Sequence, residues 1–330
     1  MSQHTSHAVQ SGQYRLGVIV NVRSGRNRSG TRALDALLAR HPQMPVERPA
    51  TPNATAAALA ALAASGVNLV AICGGDGTVQ QVLNVVLGPG TPFSQVPLLA
   101  VLPGGTTNMI AHDLNEANRP AAVLERILLR LYDGRLDDAI VERPVIRLTG
   151  GDAATPAYGL FFGAAGVLDA TMQNRRNIDR MGIRDGTGPA LRIAAVMLKL
   201  LTGRDPFEPR RIGIAIDGRP REYFECVALL ASTMQSLALG IMPFWGDGPG
   251  RIRLSFARSG ARSRVLAVLR ALRARPGRFL SSTNGYYSLN ADRVELSFDG
   301  GCVLDGELFR ASEQSPIVLE TAAMLRFLPG

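Results

Sequence analysis

Lysine is nearly absent from this chain of 330 residues, since Lys199 is the only one and arginine supplies the remaining positive side chains. P-loop NTPases and protein kinases need a lysine beside their phosphate-binding loop. Lys199 is distant in sequence from every glycine-rich loop. The sequence therefore disfavours both of these enzyme classes.

Aromatic residues are also scarce, at 5%, and no recognition motif for DNA or RNA is present. Nucleic-acid-binding surfaces of the common types need such motifs or aromatic stacking platforms. The formal charge of +9 and the pI of about 10.3 favour an anionic partner, such as a nucleotide or an acidic membrane surface. We therefore expect no nucleic acid partner, although a non-catalytic basic protein that binds nucleotides or nucleic acid stays open as an alternative.

Cysteine is limited to Cys73, Cys226 and Cys302, each within an apolar run. These positions predict buried thiols rather than a disulfide framework or a zinc site. No apolar run is long enough to span a membrane, and residues 1–13 are polar, which predicts a disordered tail without a secretory signal. The predicted location is the cytoplasm.

The strongest local signal lies between residues 67 and 84. Val67–Cys73 is a short apolar run that predicts a buried strand. Gly74-Gly75-Asp76-Gly77-Thr78 follows, and a helical pattern begins at once with Thr78 as the predicted N-cap. Glycines at a helix start favour phosphate binding, and a carboxylate there implies a Mg²⁺ ion between acid and phosphate. An ordinary strand-to-helix turn is the alternative for this stretch alone.

Strands and helices alternate over residues 14–134, which predicts an α/β domain with a mostly parallel sheet. Loops at 21–25, 74–78 and 103–108 each follow a predicted strand. Because ligands bind at the carboxyl ends of such strands, we expect the three loops to lie together. The predicted strands are Leu16–Val20, Glu47–Thr51, Val67–Cys73 and Pro97–Leu102, and the predicted helices are Thr31–Arg40, Asn53–Ser65, a short one through Ala111, and Ala121–Leu131.

Strand-like runs dominate residues 135–330, which predicts a second, mainly antiparallel β domain whose last strand or tail could pack on the first domain. Asp217-Gly218 is a hairpin signal. Two helices are predicted, at Pro189–Leu201 and Ala261–Arg275. The predicted strands are Ala139–Leu148, Tyr158–Ala165, Arg211–Ile216, Tyr223–Ala231, Arg251–Phe256, Arg293–Phe298, Gly301–Leu304 and Ile317–Thr321.

Gly74-Gly75-Asp76-Gly77-Thr78, followed by Gln81-Val82 and Asn84, resembles the signature of the diacylglycerol kinase catalytic domain. That family includes bacterial lipid kinases and sphingosine kinases and is distantly related to NAD kinases. Asn21 with Ser24-Gly25 is similar to the first loop of the family, in which Val22 replaces the usual proline.

Further motifs extend the resemblance in order from about residue 14 to 330. Pro103 with Gly105-Thr106 and Asn108 is similar to the third loop of the family. Leu304-Asp305-Gly306-Glu307 is similar to an Asp-Gly-Glu motif near its C-terminus. The remaining positions that fit the family are Gly166, Asp169 and Asp247-Gly248.

The resemblance implies an α/β nucleotide-binding domain, a β-sandwich-like domain, and an active site in the cleft between them. It implies ATP-dependent phosphorylation of a lipid hydroxyl. The residues that would hold the nucleotide are Asn21, Ser24, Gly25, Thr51, Gly74, Gly75, Asp76, Gly77, Thr78, Val79, Gln80, Gly105, Thr106 and Asn108.

The resemblance also implies roles for the acids. Asp76 would act with Mg²⁺ at the phosphates, and Glu307, with Asp305 beside it, would be the general base. Asp247, with the carbonyls of Phe244 and Pro249, would match a second, structural Mg²⁺ site. A plain β-turn is the alternative at Asp247.

Two departures from the family pattern make the expected cleft less acidic. Gln81 replaces the usual glutamate of the helix after the signature loop, and Met109 replaces the usual aspartate after the third loop. Asp76, Asp305 and Glu307 stay in place, so we expect catalysis but leave the metal geometry open.

The resemblance implies a lipid substrate, diacylglycerol-like or sphingoid-like, and a peripheral position on the anionic inner face of the membrane. Pro189–Leu201 and Ala261–Arg275 could contact lipid, although a buried helix and a solvated basic face are the alternatives. A soluble acceptor of the NAD kinase type is the second hypothesis for function. The sequence names neither the lipid nor the oligomeric state, and a homodimer stays open.

Overall fold

The computed structural model describes residues 10–11, 13–25, 27, 31–51, 53–116, 119–167, 208–237, 243–272 and 277–330. The chain divides into a first unit, Met1–Arg143 with Met324–Gly330, and a second unit, Pro144–Ala323. The C-terminal tail belongs to the first unit, where the N–H of Leu328 donates to the carbonyl of Leu99 at 2.7 Å. Asp169 and the predicted helix Pro189–Leu201 lie outside the described residues.

The first unit alternates strands and helices. Helix α2 is rich in alanine and is followed by Gly66 at a φ of 73°, and helix α5 begins with Pro120. The strands are β1 (Gln10–Ser11), β2 (Tyr14–Val20), β3 (Val46–Glu47), β4 (Leu69–Gly74) and β5 (Leu98–Pro103), and the helices are α1 (Arg32–Ala39), α2 (Ala54–Ala64), α3 (Asp76–Leu87), α4 (Met109–Asp113) and α5 (Pro120–Tyr132).

The centre of this unit is a parallel sheet in which β4 lies between β2 and β5. Ile19 pairs with Ile72, and Ile72 pairs with Val101, so the three strands end at one edge of the sheet. β3 adds a parallel strand beside β2. All three strands are almost fully buried, because helices cover the sheet with their apolar stripes.

The second unit consists mainly of strands. The helix α6 (Arg264–Leu272) is the one α-helix in the described part of this unit that spans more than two residues. The strands are β6 (Val141–Gly150, which begins in the first unit), β7 (Ala157–Gly159), β8 (Phe161–Ala165), β9 (Arg210–Ile216), β10 (Glu222–Ser232), β11 (Ile252–Arg258), β12 (Tyr286–Ala291), β13 (Arg293–Ser297), β14 (Gly300–Leu304), β15 (Glu307–Ala311) and β16 (Ile317–Phe327).

The long strand β10 organises the second unit. Its first half pairs with β9, its second half pairs with β8, and β11 lies along its other edge, all in antiparallel register. A register shift between Cys226 and Ala228 marks the change of partner. The core of this unit is apolar and includes the fully buried side chains of Phe162, Leu254 and Leu296.

The predicted fold class is confirmed, with an α/β domain first and a mainly antiparallel β domain second. Asp217-Gly218 does connect two antiparallel strands, β9 and β10. The predicted strand Glu47–Thr51 is wrong beyond its first residue, since the observed strand is Val46–Glu47 and residues 48–51 are not part of a strand. The sequence did not predict β12 or β15.

The N-cap prediction at Thr78 is wrong. The N-cap of helix α3 is Gly75, three residues earlier, and the helix begins at Asp76. Gly75 is extended, and its carbonyl already accepts the N–H of Thr78 at 2.8 Å and that of Val79 at 3.2 Å. Thr78 therefore lies within the first turn, where its side chain is buried.

The three cysteines are free and buried, as predicted. Burial raises the pKa of Cys73 to about 11 and the pKa of both Cys226 and Cys302 to about 12. These thiols therefore stay protonated at neutral pH. Across the described ranges, the helices are too short or too polar to cross a bilayer.

Candidate functional site

The loops that follow β2, β4 and β5 lie together at the carboxyl edge of the parallel sheet. The N–H of Asn21 donates to the carbonyl of Cys73 at 2.9 Å, and the N–H of Gly104 donates to that of Gly74 at 2.9 Å. Adjacent strands thus pass directly into adjacent loops. This places the predicted loops 21–25, 74–78 and 103–108 side by side.

Glycine allows the backbones of these loops to touch. A Cβ at Gly75 would lie 3.0 Å from the Cα of Gly105 and 3.3 Å from the Oγ of Ser24. A Cβ at Gly25 would collide with the Thr106 side chain. Gly77 differs, because nothing lies within 4 Å of the position of its Cβ. The loops are packed against one another, and α3 is open at Gly77.

Two asparagines fix the first loop. The Nδ2 of Asn21 donates to the Oγ1 of Thr78 at 2.9 Å, and its Oδ1 accepts the N–H of Arg23 at 3.0 Å. Asn27, which the sequence analysis missed, is buried and donates from Nδ2 to the carbonyl of Asn21 at 2.9 Å. The N–H of Asn27 donates to the carbonyl of Gly104 at 3.3 Å. Asn27 therefore joins the first loop to the third.

Asn108 folds the third loop onto itself. Its Oδ1 accepts the N–H of Gly105 at 2.7 Å, and its Nδ2 donates to the carbonyl of Gly105 at 2.9 Å. The residue adopts a left-handed backbone with a φ of 51°, which asparagine tolerates better than most residues. Its side chain is 4% exposed. Asn108 thus shapes the loop rather than facing solvent.

Asp76 is half-buried at the first position of α3. Its Oδ1 accepts the N–H of Ile110 at 3.0 Å, and the N–H of Met109 also bonds to the carboxylate. Burial raises the pKa of Asp76, while the N–H groups of Ile110 and Met109 and the nearby His112 act to lower it. A divalent cation would offset the cost of burying this charge.

The remaining nucleotide predictions fall in different environments. Val79 and Gln80 are buried on α3, at 0% and 2% exposure, so their side chains face the interior. Thr51 is exposed just before α2, and its carbonyl accepts the N–H of Ala54 at 3.1 Å. The neighbouring carbonyl of Ala50 accepts a bond from Arg23 at 3.4 Å.

In the second unit, Asp305-Gly306 forms the turn of a hairpin between β14 and β15. Leu304 pairs with Glu307, so the loop contains two residues, and both have positive φ, 42° and 96°. Aspartate followed by glycine is the preferred pair for such a turn, because both positions need a left-handed backbone. Glu307 begins β15 and is exposed.

The Asp305 side chain is buried at 4% exposure and held by the backbone. Its Oδ2 accepts the N–H of Leu160 at 2.7 Å, and its Oδ1 accepts the N–H of Phe161 at 2.9 Å. Gly159 leaves room for the carboxylate, because a Cβ there would lie 2.6 Å from Oδ2. Asp305 thus fixes the hairpin against β8, and Glu307 presents the exposed carboxylate of the motif.

The Asp247 loop lies along β12. Ser288 Oγ accepts the N–H of Trp245 at 3.0 Å and that of Gly246 at 2.9 Å, and the carbonyl of Asp247 accepts the N–H of Asn290 at 3.3 Å. Asp247 and Pro249 are exposed, and Phe244 is half-buried. The described residues contain no cluster of three or more His, Cys, Asp or Glu side chains that could hold a metal. The second Mg²⁺ site stays a prediction.

An apolar cavity of about 170 Å³ lies within the second unit, between strands β10 and β11, helix α6 and the 243–245 segment. The sequence analysis missed it, since its lining comes from six separate stretches of the chain. Its walls are almost entirely apolar. The residues that line it include Leu230, Trp245, Phe256, Val268, Leu280 and Tyr286.

Residues 15–133 match the family model described as the diacylglycerol kinase catalytic domain. This range covers all three loops of the first unit and ends before the second unit. No curated protein matches the chain. The predicted resemblance to the diacylglycerol kinase family is therefore confirmed over this range. The match supports a kinase as the class of enzyme.

Solved structures share the fold over nearly the whole chain. A structure from Bacillus anthracis str. Sterne, described as a candidate diacylglycerol kinase, superimposes with a TM-score of 0.64 at 18% identity over 96% of this chain and 97% of that one. A diacylglycerol kinase from the same organism gives 0.61 at 17% identity over 96% and 97%. Yeast NADH kinase complexed with NADH gives 0.50 at 10% identity over 97% and 84%. At these identities the likeness concerns the fold alone.

Proposed function

We propose that this protein is an ATP- and Mg²⁺-dependent lipid kinase that transfers the γ-phosphate to a lipid hydroxyl. The observation that carries the proposal is the close packing of three glycine loops at one edge of the parallel sheet, within the range that matches the family model. Backbone N–H groups at such an edge favour the phosphates of a nucleotide.

The nucleotide would lie against the first unit. Gly74, Gly75 and Gly77 would bring backbone close to the phosphates, and the exposed first turn of α3 at Gly77 offers an approach without side-chain obstruction. Val79 and Gln80 would contribute through the backbone or through packing, because their side chains are buried. Asn21 and Asn108 would hold the loops in shape.

Asp76 fits a role beside Mg²⁺. Mg²⁺ in phosphate-transfer sites is bound by one or two carboxylates together with substrate phosphates and water. Asp76 supplies one carboxylate whose burial already disfavours the charged form, so a cation would stabilise it. When bound, Mg²⁺ would neutralise the charge of the transferred phosphoryl group.

Glu307 would act as the general base. The acceptor hydroxyl oxygen forms a bond to the γ-phosphorus, the bond from that phosphorus to the β,γ-bridging oxygen breaks, and ADP leaves. The hydroxyl proton passes to the Glu307 carboxylate. Glu307 is exposed at the start of β15, whereas Asp305 is held by two backbone N–H groups and would position the turn.

The cavity of the second unit favours a lipid acceptor. Its volume of about 170 Å³ suits part of a hydrocarbon chain, since an apolar protein cavity of about 150 Å³ can bind benzene. Arg264 lies one turn before Ala267 and Val268, which line the cavity. An apolar chain could therefore sit beside a cationic side chain that attracts an anionic membrane surface. We further propose a cytoplasmic protein, peripheral to the membrane, with a homodimer still open.

The test is transfer from γ-labelled ATP to a total lipid extract, with NAD as the soluble comparison. We expect a labelled lipid product, and its loss in Asp76→Ala and Glu307→Ala. Both variants should show the circular dichroism and melting behaviour of a folded protein. Labelling of NAD alone would replace the lipid by a soluble acceptor, and full activity in either variant would overturn the site.

A further inference from the structure

Asp113 and Arg143 form the least exposed ion pair among the described residues, with side chains 1% and 9% exposed. The Nε of Arg143 donates to the Oδ2 of Asp113 at 2.7 Å, and its Nη2 donates to the Asp113 carbonyl at 3.2 Å. Asp113 ends helix α4, and Arg143 lies on β6 as the last residue of the first unit before Pro144. The pair thus fixes the end of α4 to the strand on which the chain leaves the first unit.

Stability alone does not account for this arrangement. A carboxylate at a helix C-terminus meets the negative end of the helix dipole, which is unfavourable. Removing two charges from water costs free energy that their attraction barely repays. In some proteins such pairs fix one arrangement of the chain rather than add stability. The two-point contact of Arg143, to the carboxylate and to the carbonyl, fixes both position and orientation.

The N-terminal end of α4 donates hydrogen bonds to the side chain of Asp76. The helix contains only five residues, and its first two N–H groups, from Met109 and Ile110, bond to the Asp76 carboxylate. A shift of α4 at Asp113 would therefore move the donors that orient Asp76. One short helix connects the buried pair to the acid of the signature loop.

We propose that Asp113 and Arg143 are positioning residues for Asp76. They hold α4 where its amide groups keep the Asp76 carboxylate oriented toward the loop edge. The consequence for Mg²⁺ rests on the kinase function proposed above, whereas the consequence for α4 does not.

Arg143→Lys tests the proposal, because lysine keeps the charge but cannot make the two-point contact. The matched control is Arg126→Lys. Arg126 lies on α5 and bonds at 2.7 Å to Glu116, whose side chain is 3% exposed, so this is a second ion pair of the same unit with one nearly buried carboxylate. Asp113→Asn is the second variant, for use if Arg143→Lys does not fold.

The first measurement is hydrogen exchange of the Met109 and Ile110 amides in the protein without metal or nucleotide. We expect both amides to exchange about 10-fold faster in Arg143→Lys, because this is the effect of weakening one hydrogen bond. We expect wild-type exchange rates in Arg126→Lys. Unchanged exchange in Arg143→Lys, or equal acceleration in both variants, would overturn the proposal.

The second measurement is the Mg²⁺ concentration that gives half-maximal transfer. We expect it to rise about 10-fold in Arg143→Lys, as for partners that orient metal ligands, with kcat at saturating Mg²⁺ largely kept. A lower kcat at unchanged Mg²⁺ dependence would contradict positioning. If the wild-type protein transfers no phosphate, the kinase proposal fails by itself. The amide exchange measurement then still tests the positioning role of Asp113 and Arg143.

Discussion

Each unit of this protein contains an acidic turn with glycine, and the two turns present their carboxylates differently. In Gly75-Asp76-Gly77 the acid begins a helix, and Gly75 lets one backbone touch another at Gly105. In Asp305-Gly306-Glu307 the first two residues form the turn, and the second acid begins a strand.

The comparison shows that two acids on either side of one glycine can differ strongly in exposure. Asp305 gives both oxygens to backbone N–H groups and is almost fully buried. Glu307, two residues later, is exposed because β15 places it at the start of an edge strand. Asp76 is intermediate, since α4 orients it while it stays half-buried.

The largest expected effect is a loss of activity at Glu307, in contrast to the loss of stability expected at Asp305. Glu307→Gln should lower kcat about 100-fold or more, because a general base is lost, while the free energy of unfolding stays within about 0.5 kcal/mol of wild type. The measurements are the transfer assay and urea unfolding. Glu313→Gln, at an exposed position farther along the same unit, should keep wild-type activity. Equal losses in both variants would remove the special role of Glu307.

Asp305→Ala should show the opposite pattern, with stability as the main loss. The N–H groups of Leu160 and Phe161 would be left buried without their partner, which costs about 3 kcal/mol in the free energy of unfolding. Thermal and urea unfolding measure this cost. A variant as stable as wild type but inactive would show that Asp305 acts chemically, and the contrast with Glu307 would disappear.

Two glycines of the first unit should respond differently to alanine. Gly105→Ala places a Cβ against the backbone of Gly75 and should destabilise the protein by about 1–3 kcal/mol while weakening nucleotide binding. Gly77→Ala places its Cβ where no atom lies within 4 Å, and the residue is in a helix. The free energy of unfolding should therefore stay the same or rise by up to about 1 kcal/mol. Unfolding and ATP titration calorimetry compare the pair, and equal destabilisation would argue against loop contact as the cause.

The smallest expected effect concerns the charge of Asp76. Burial raises the pKa of Asp76, so the folded state binds this proton more tightly than the unfolded state. The contribution to stability is therefore present below the ordinary pKa of aspartate and is lost as pH rises through the raised value. Asp76→Asn carries no charge and should gain stability relative to wild type at pH 8, with less difference at pH 4.

Melting curves at both pH values, without Mg²⁺, measure this change. Asp133→Asn, at an exposed position of the same unit, serves as the control and should show no such trend. A stability difference that is equal at pH 4 and pH 8 would show that burial of the charge is not the cause.

Much of the first unit could be read from local pattern. Short apolar runs predicted β2, β4 and β5, and the glycines after them predicted loops at one edge, because parallel strands in an α/β sheet end together. The N-cap of α3 was predicted three residues late, since Thr78 has the side chain of an N-cap but Gly75 takes that position. The roles of the predicted site residues stay predictions.

The sequence by itself determined the alternation of strands and helices in the first unit, its resemblance to a kinase family and the positions of its acids, because these depend on spacing along the chain. Only the tertiary structure decided which acid is held and which is exposed. Asp305 binds backbone 145 residues away at Leu160, and Arg143 binds Asp113 30 residues away. The same holds for the apolar cavity, whose walls come from separate segments. Contacts of this kind leave no periodic signal in the sequence, since they depend on which surfaces folding brings together.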